Sequence, residues 1–201
     1  MKAVILLNGE PHAREIDGES AYVICCDGAY DWAKDRVKID ENLGDFDSLG
    51  YVPNPPPRTV YPAEKNATDG EIALDRAIEL GAEEIVIYGG GGKREDHFLG
   101  NLHLLYAAHK RGVRASMVTN GALIYIGEGE ISIDGFYKKT LSIVPFGGDA
   151  HIMESRGLKY PLHDLWLRYG STRGISNIAE GDRASIFAEG VVLILVNMEE
   201  Q

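Results

Sequence analysis

The chain has 201 residues, of which 44% are hydrophobic and 25% are charged, and these proportions argue against disordered and fibrous proteins while allowing one large domain or two small ones. Its formal net charge of −11 argues against a general nucleic-acid binder, because such proteins gain affinity by neutralising phosphates with Lys and Arg. Nothing resembles a signal peptide or an apolar run that could span a bilayer, so we expect a cytoplasmic protein that does not contact membranes.

The first part of the chain alternates between strand and helix patterns. Nearly continuous apolar runs, typical of strands buried in a parallel sheet, occupy residues 3–7, 21–25, 84–88 and 114–119. One helix is predicted from the capping residue Thr68, with Glu71 three positions on, to Gly81, and a second ends near Gly112. This alternation predicts an α/β domain with a doubly wound, mostly parallel sheet over residues 1–127.

The pattern changes in the last part of the chain. The segments "ISIDG", "KTLSIVPFG", "HIMESRG", "RASIFAEG" and "GVVLILV" are short β-like runs separated by glycines, and no amphipathic helix lies between them. We therefore predict a second, small all-β sandwich domain over residues 128–201.

The polar residues that follow the predicted strands are biased toward carboxylates and glycines. In open α/β sheets, ligands bind at the carboxyl ends of the strands, so these positions are candidate binding residues. The set comprises Asn8 and Gly9, Asp27 and Gly28, Asp45 and Asp47, Asp69 at a helix start, and Gly89–Gly92. If these strand ends lie together, several carboxylates and a glycine loop share one crevice.

Asp45 and Asp47, in "LGDFDSLG", are one residue apart, and two such carboxylates repel each other unless a cation lies between them. Mg²⁺ prefers hard oxygen ligands and usually takes one or two carboxylates together with phosphate oxygens. The glycine loop precedes a helix and provides backbone N–H groups suited to phosphate, with Lys93 and Arg94 directly after it. These features together suggest a site for a nucleoside triphosphate and Mg²⁺.

Each of these features also has an ordinary structural explanation. Asp and Ser are common in turns, which would account for Asp45 and Asp47. An acidic residue such as Asp69 is favoured in the first turn of a helix by the dipole alone. The four glycines match neither of the common glycine-rich nucleotide-binding patterns. The local patterns alone leave these alternatives open.

Five segments in order resemble thiamine pyrophosphokinases, enzymes that transfer pyrophosphate from ATP to thiamine. They are "CDGAYDWA", "LGDFDSLG", "KNATDGEIAL", "GGGGKREDHFLGNL" and "STRGISN", and they extend over nearly the whole chain. The resemblance implies an α/β nucleotide domain followed by a small β-sandwich, Mg²⁺ as cofactor, ATP and thiamine as substrates, and a homodimer. The architecture predicted from the patterns agrees with it independently.

The resemblance also implies roles for individual residues. The expected catalytic residues are Asp27, Asp45, Asp47, Asp69 and Arg94. The expected Mg²⁺ ligands are Asp45, Asp47 and Asp69. The expected ATP-binding set adds the residues after the strands and the glycine loop: Asn8, Gly28, Gly89, Gly90, Gly91, Gly92, Lys93, Arg94, Asp96, His97 and Asn101. Ser176 and Asn177 are expected to bind thiamine.

Three positions depart from the family pattern. Asn66 stands where the family commonly has Asp, which keeps hydrogen-bonding capacity but removes a charge near the expected metal site. Ile178 stands where Glu often follows the late "GISN" segment, and Ala29 replaces a glycine of the first segment.

The reaction implied by the resemblance is attack of the thiamine hydroxyl on the β-phosphorus of ATP, with release of AMP. An aspartate accepts the hydroxyl proton; Asp27 is one candidate among several. Two alternatives remain open: transfer to another hydroxymethyl heterocycle such as a pterin, and a non-catalytic nucleotide or thiamine sensor. In the family the thiamine pocket lies where the β domain meets the partner's nucleotide domain, so the thiamine site is expected to need both chains.

Overall fold

The computed structural model describes residues 1–54, 57–62 and 66–198. The chain divides into two compact units, Met1–Asn120 and Gly121–Gln201. Within the described residues, no helix combines the length and the apolar character that crossing a bilayer requires.

Within its described residues, the first unit is an α/β unit built on six parallel strands. Its elements are β1 (Lys2–Leu6), β2 (Ala21–Cys26), α1 (Ala29–Ala33), β3 (Glu41–Gly44), β4 (Arg58–Val60), α2 (Asp69–Glu79), β5 (Glu84–Tyr88), α3 (Glu95–Lys110) and β6 (Arg114–Val118). The strands lie in the order β6-β5-β1-β2-β3-β4. The chain order reverses beside β1, and such a reversal opens a crevice at the carboxyl ends of the neighbouring strands.

Helix α2 begins and ends as its sequence predicts. The side-chain oxygen of Thr68 accepts a hydrogen bond of 3.2 Å from the backbone N–H of Glu71, which satisfies one of the free donors at the helix start. The helix stops before Gly81, whose φ of +84° is readily adopted by glycine. Ala73, Leu74 and Ala77 are buried on its apolar face.

Three elements of this unit, α1, β3 and β4, were not predicted from the sequence. Strand β3 was missed because it carries the polar residues Glu41 and Asn42, which are nevertheless buried. The Glu41 carboxylate accepts hydrogen bonds from Arg76 Nε at 3.0 Å and from the Tyr22 hydroxyl at 3.2 Å, which offsets the cost of its burial. Short β4 follows the proline-rich run 53–57, which lies partly outside the described residues.

Over residues 121–198, which the structure describes, the second unit contains β-strands and no helix. Its strands are β7 (Ala122–Ser132), β8 (Thr140–Pro145), β9 (Ala150–Arg156), β10 (Leu165–Leu167), β11 (Asn177–Ile178) and β12 (Ser185–Asn197). The long strand β12 pairs antiparallel with β7 along most of its length, with β9 through its first part and with β8 through its last part.

Two runs that the sequence analysis separates, "RASIFAEG" and "GVVLILV", belong to the single strand β12. The pairing register shifts between Ala188 and Val192, and Gly190 has a φ of +96° at this irregularity. The predicted domain boundary between residues 127 and 128 falls inside β7, because β7 is one continuous strand. The predicted fold class, an α/β domain followed by a β-sandwich, is confirmed.

Candidate active site

A crevice of about 550 Å³ lies at the carboxyl ends of the strands in the first unit. It brings together residues that are far apart in the sequence. The predicted site residues that line it are Asn8, Asp27, Asp45, Asp47, Asp69, Gly89, Gly90, Gly91, Lys93, Arg94, His97 and Asn101. Thr68, Ser48 and the buried Cys26 also line it, and no sequence motif singled out Cys26 as a site residue.

Three carboxylates form a cluster in this crevice. Asp27, Asp45 and Asp47 each place one carboxylate oxygen within 4.8 Å of the others. Asp27 is 8% exposed, and its Oδ1 atom is buried without a hydrogen-bond partner among the described residues. A buried carboxylate oxygen is costly unless it is hydrogen-bonded or binds a cation, so the cluster has the chemistry of a divalent-cation site.

The turn after β3 determines where Asp45 and Asp47 point. Phe46, between them, is 3% exposed and has a φ of +59°, so the chain reverses sharply while the phenyl ring remains in the core. The backbone N–H of Asp47 donates to Asp45 Oδ1 at 3.2 Å, and the Ser48 hydroxyl donates to Asp47 Oδ1 at 3.2 Å. The two carboxylates therefore converge through a turn rather than along a strand.

The third carboxylate of the cluster is Asp27, whereas the third Mg²⁺ ligand expected from the family resemblance is Asp69. Asp69, at the start of α2, lines the same crevice but does not belong to the group of three. Asp27 takes that place because β2 and β3 are neighbours, with Cys26 in register with Leu43. The strand order needed to infer this neighbour relation is not evident from local sequence patterns.

The glycine loop Gly89–Gly92 is held close to the end of β1. The backbone N–H groups of Gly9 and Glu10 donate to the carbonyls of Gly89 at 2.8 Å and Gly91 at 2.7 Å. A Cβ atom at Gly90 would lie 2.2 Å from Met117 Sδ, so a side chain at this position would require the buried Met117 side chain to move. Gly92 and Gly28 do not line the crevice.

Asn101 is engaged with this loop. Its side-chain nitrogen donates a 2.8 Å hydrogen bond to the carbonyl of Gly90, from one turn and a half into α3. This contact gives Asn101 a role in holding the loop in addition to lining the crevice.

Two cationic side chains follow the loop. Lys93 Nζ lies 3.4 Å from both the carbonyl and the side-chain oxygen of Asn8. Arg94 forms a two-bond ion pair with Asp96, with Nη2 to Oδ2 at 2.5 Å and Nε to Oδ1 at 3.0 Å. These hydrogen bonds, with a further one from the backbone N–H of His97, lower the pKa of the Asp96 carboxyl to about 2. Asp96 itself does not line the crevice.

The two residues predicted to bind thiamine lie in the second unit. Ser176 is exposed, with a φ of +62°, and lines a small pocket of about 330 Å³. Asn177 is 4% exposed, and its side chain binds the backbone of Tyr160, with Oδ1 accepting from the N–H at 3.1 Å and Nδ2 donating to the carbonyl at 2.7 Å. The Asn177 amide thus fixes the segment around Tyr160, and the Ser176 hydroxyl is the exposed polar group of the pair.

A doubly wound unit whose crevice at the carboxyl ends of the strands is lined by carboxylates and glycines has the features of an α/β phosphate-binding site. Residues 14–117 match the family model described as "Thiamin pyrophosphokinase, catalytic domain". Residues 128–192 match the model described as "Thiamin pyrophosphokinase, vitamin B1 binding domain".

Known proteins similar to the chain agree with these matches. The thiamine pyrophosphokinase of Bacillus subtilis is 36% identical over 165 residues, which cover 77% of this chain and 77% of that protein. The crystal structure of the enzyme from Bacillus subtilis superposes with a TM-score of 0.86 at 29% identity, over 100% of both chains. That from Geobacillus thermodenitrificans gives 0.83 at 26% identity, over 100% of this chain and 99% of that one. The chain belongs to the thiamin pyrophosphokinase family, which confirms the resemblance seen in its sequence motifs.

Proposed function

We propose that this protein transfers the pyrophosphoryl group of ATP to the hydroxyl of thiamine, giving thiamine diphosphate and AMP. The observation that carries the proposal is the crevice in which three clustered carboxylates, a glycine loop and two cationic side chains meet, in a chain of the thiamin pyrophosphokinase family. Carboxylates suit a phosphate-bound cation, and the loop and the cations suit the phosphates themselves.

The bond changes are those of a displacement at the β-phosphorus. The hydroxyl oxygen of thiamine forms a bond to the β-phosphorus. At the same time, the bond breaks between the β-phosphorus and the oxygen that bridges the α- and β-phosphates. AMP leaves with that oxygen, and the hydroxyl proton passes to a carboxylate of the crevice. Arg94 and Lys93 stabilise the negative charge that develops on the phosphate oxygens, and the Asp96 carboxylate holds the Arg94 guanidinium in place.

Mg²⁺ is part of the proposal, and the residues present fit it. The buried, unpartnered Oδ1 of Asp27 and the nearby oxygens of Asp45 and Asp47 form a hard oxygen donor set of the kind that Mg²⁺ binds with phosphate oxygens. When bound, Mg²⁺ neutralises phosphate charge and polarises the phosphoryl group. Asn66, which stands where the family commonly has Asp, does not line the crevice.

A homodimer completes the proposal. The match of residues 128–192 to a vitamin B1 binding domain supports thiamine binding by the second unit. We place the exposed Ser176 at that thiamine site. We expect the site to be completed by the catalytic unit of a partner chain. Sedimentation analysis with activity measured on dilution tests this point; a fully active monomer would contradict the shared site.

A substrate panel tests the activity itself. The purified protein is incubated with ATP and Mg²⁺ and with thiamine or a hydroxymethyl pterin, and AMP is quantified. We expect AMP release that depends on thiamine. Equal or greater AMP release with the pterin would contradict the assignment of the acceptor. If AMP is released neither with thiamine nor with the pterin, the assignment of the reaction is contradicted.

A further inference from the structure

The turn that carries Ser176 is fixed to strand β8 by two hydrogen bonds, one to a side chain of the strand and one to its backbone. The backbone N–H of Ser176 donates a 3.1 Å hydrogen bond to Ser142 Oγ. Two residues earlier, the Gly174 carbonyl accepts from the Ile143 N–H at 2.9 Å. A Cβ atom at Gly174 would lie 2.4 Å from the Ile143 carbonyl, so the turn lies directly against the strand.

Ser176 needs this support because its backbone conformation is unfavourable. A φ of +62° is uncommon for a residue with a side chain and costs free energy unless surrounding contacts maintain it. The next residue, Asn177, enters β11 and pairs with Leu141 of β8. The Ser142 hydroxyl is therefore the side-chain contact that holds the residue at the exposed point of the turn.

The same hydroxyl lines the pocket beside Ser176. Ser142 and Thr140 are alternate residues of β8 and so lie on one face, and Leu195 of β12 is the partner of Ser142 in the antiparallel pairing. Thr140, Ser142, Ser176 and Asn197 give the pocket hydroxyl and amide groups, and no charged side chain lines it among the residues that the structure describes. Such groups can hydrogen-bond a polar heterocycle.

We propose that Ser142 is a positioning residue for acceptor recognition: its hydroxyl holds Ser176 in the left-handed conformation that presents the Ser176 side chain to thiamine. The proposal rests on the function proposed above and adds a residue that lies outside the five segments in which the chain resembles the family. Ser142 acts through the backbone of Ser176, so its effect is limited to the acceptor side of the reaction.

Substitution of Ser142 distinguishes a role in positioning Ser176 from a general structural role, because only the first affects the KM for thiamine without affecting the KM for ATP. Ser142→Ala removes the acceptor of the Ser176 N–H and should raise the apparent KM for thiamine about fivefold, the equivalent of one ordinary hydrogen bond, and leave the KM for ATP unchanged. Ser142→Thr retains the hydroxyl and should restore most of the thiamine affinity. Ser132→Ala is the matched control, since Ser132 is an exposed serine of the same unit whose hydroxyl donates to Asp134.

The double variant tests whether Ser142 acts through Ser176. If it does, Ser142→Ala combined with Ser176→Ala raises the KM for thiamine no further than Ser176→Ala alone. Additive effects would mean that Ser142 contacts thiamine itself and would overturn the positioning role, as would an unchanged KM in Ser142→Ala or an equal rise in the KM for ATP. Failure of the proposed function is distinguishable, because the unsubstituted protein would then form no thiamine diphosphate at all.

Discussion

Gly44 approaches Asp27 so closely that a Cβ atom at Gly44 would lie 3.1 Å from Asp27 Cβ and 3.2 Å from Asp27 Cα. The approach follows from the pairing of β2 with β3, because the backbone N–H of Asp27 donates to the Leu43 carbonyl at 2.9 Å. Gly44 itself has a φ of +146°, a backbone conformation that residues with a side chain rarely adopt. The end of β3 therefore lies directly against the backbone and Cβ of Asp27, whose carboxylate clusters with those of Asp45 and Asp47.

Gly44→Ala is therefore expected to disturb the carboxylate cluster as well as the backbone. We expect a loss of unfolding free energy of about 1–3 kcal/mol from the unfavourable φ and a fall in turnover of about tenfold or more, because small displacements of catalytic groups are costly. Thermal melts and AMP release measure the two effects. Gly112→Ala is the matched control, since Gly112 has a φ of +74° and no atom within 4 Å of an added Cβ; it should lose stability but keep its turnover. Equal turnover losses in both variants would contradict a specific role for Gly44.

The membership of the cation site can be decided by three conservative substitutions. Asp47→Asn and Asp27→Asn keep side-chain volume but remove a carboxylate from the cluster, so each should lower turnover by about 10²-fold or more and weaken Mg²⁺ binding. Titration calorimetry with Mg²⁺ and a non-hydrolysable ATP analogue measures the binding directly.

Asp69→Asn is the decisive comparison within this set. Because Asp69 lines the crevice outside the cluster of three, its substitution should weaken Mg²⁺ binding less than that of Asp27. Asp35→Asn, at an exposed position outside the crevice, is the control and should change neither quantity. A larger loss of Mg²⁺ affinity in Asp69→Asn than in Asp27→Asn would favour the ligand set implied by the family motifs.

The ion pair of Arg94 with Asp96 predicts a specific titration. In the folded protein the Asp96 carboxyl should titrate with a pKa of about 2, below its ordinary value of 3.8. Any stability contributed by this depressed pKa is present above pH 3.8 and is lost as the pH falls through about 2. NMR titration of the carboxyl groups measures the pKa directly.

Arg94→Gln should move the pKa of Asp96 back up toward its ordinary value, because the guanidinium hydrogen bonds are its largest cause. Asp149 is an internal control in the same spectra. Its pKa is lowered by the backbone N–H of Tyr169 and by Arg168, so Arg94→Gln should leave it unchanged. An unaltered pKa for Asp96 in the variant would show that Arg94 is not held by this carboxylate in solution.

The sequence predicted the elements whose patterns are local. Buried apolar runs indicated β1, β2, β5 and β6, and the Thr68 cap and the apolar stripe indicated α2. Strand β3 escaped prediction because the partner that makes a buried Glu41 tolerable, Arg76, comes from a helix much later in the chain. Contacts between distant segments leave no periodic signal in either segment.

The same distinction applies to the site. The pair Asp45 and Asp47 is visible in a single motif, whereas the grouping of Asp27 with that pair depends on strand order. Asn177 was predicted to contact thiamine, and that contact stays a prediction; its amide hydrogen-bonds the backbone of Tyr160. No local sequence pattern indicated a role for Ser142, because its hydroxyl contacts the backbone N–H of Ser176, which directly precedes a different strand, β11.

The most direct measurement of the central claim is the identity of both products of one reaction. The protein is incubated with ATP, Mg²⁺ and thiamine, and the nucleotide and thiamine products are resolved by chromatography and phosphorus NMR. We expect AMP and thiamine diphosphate in equal amounts, because displacement occurs at the β-phosphorus. Formation of ADP with thiamine monophosphate would place the attack at the γ-phosphorus and contradict pyrophosphoryl transfer, and the absence of any thiamine phosphate would contradict the enzymatic assignment altogether.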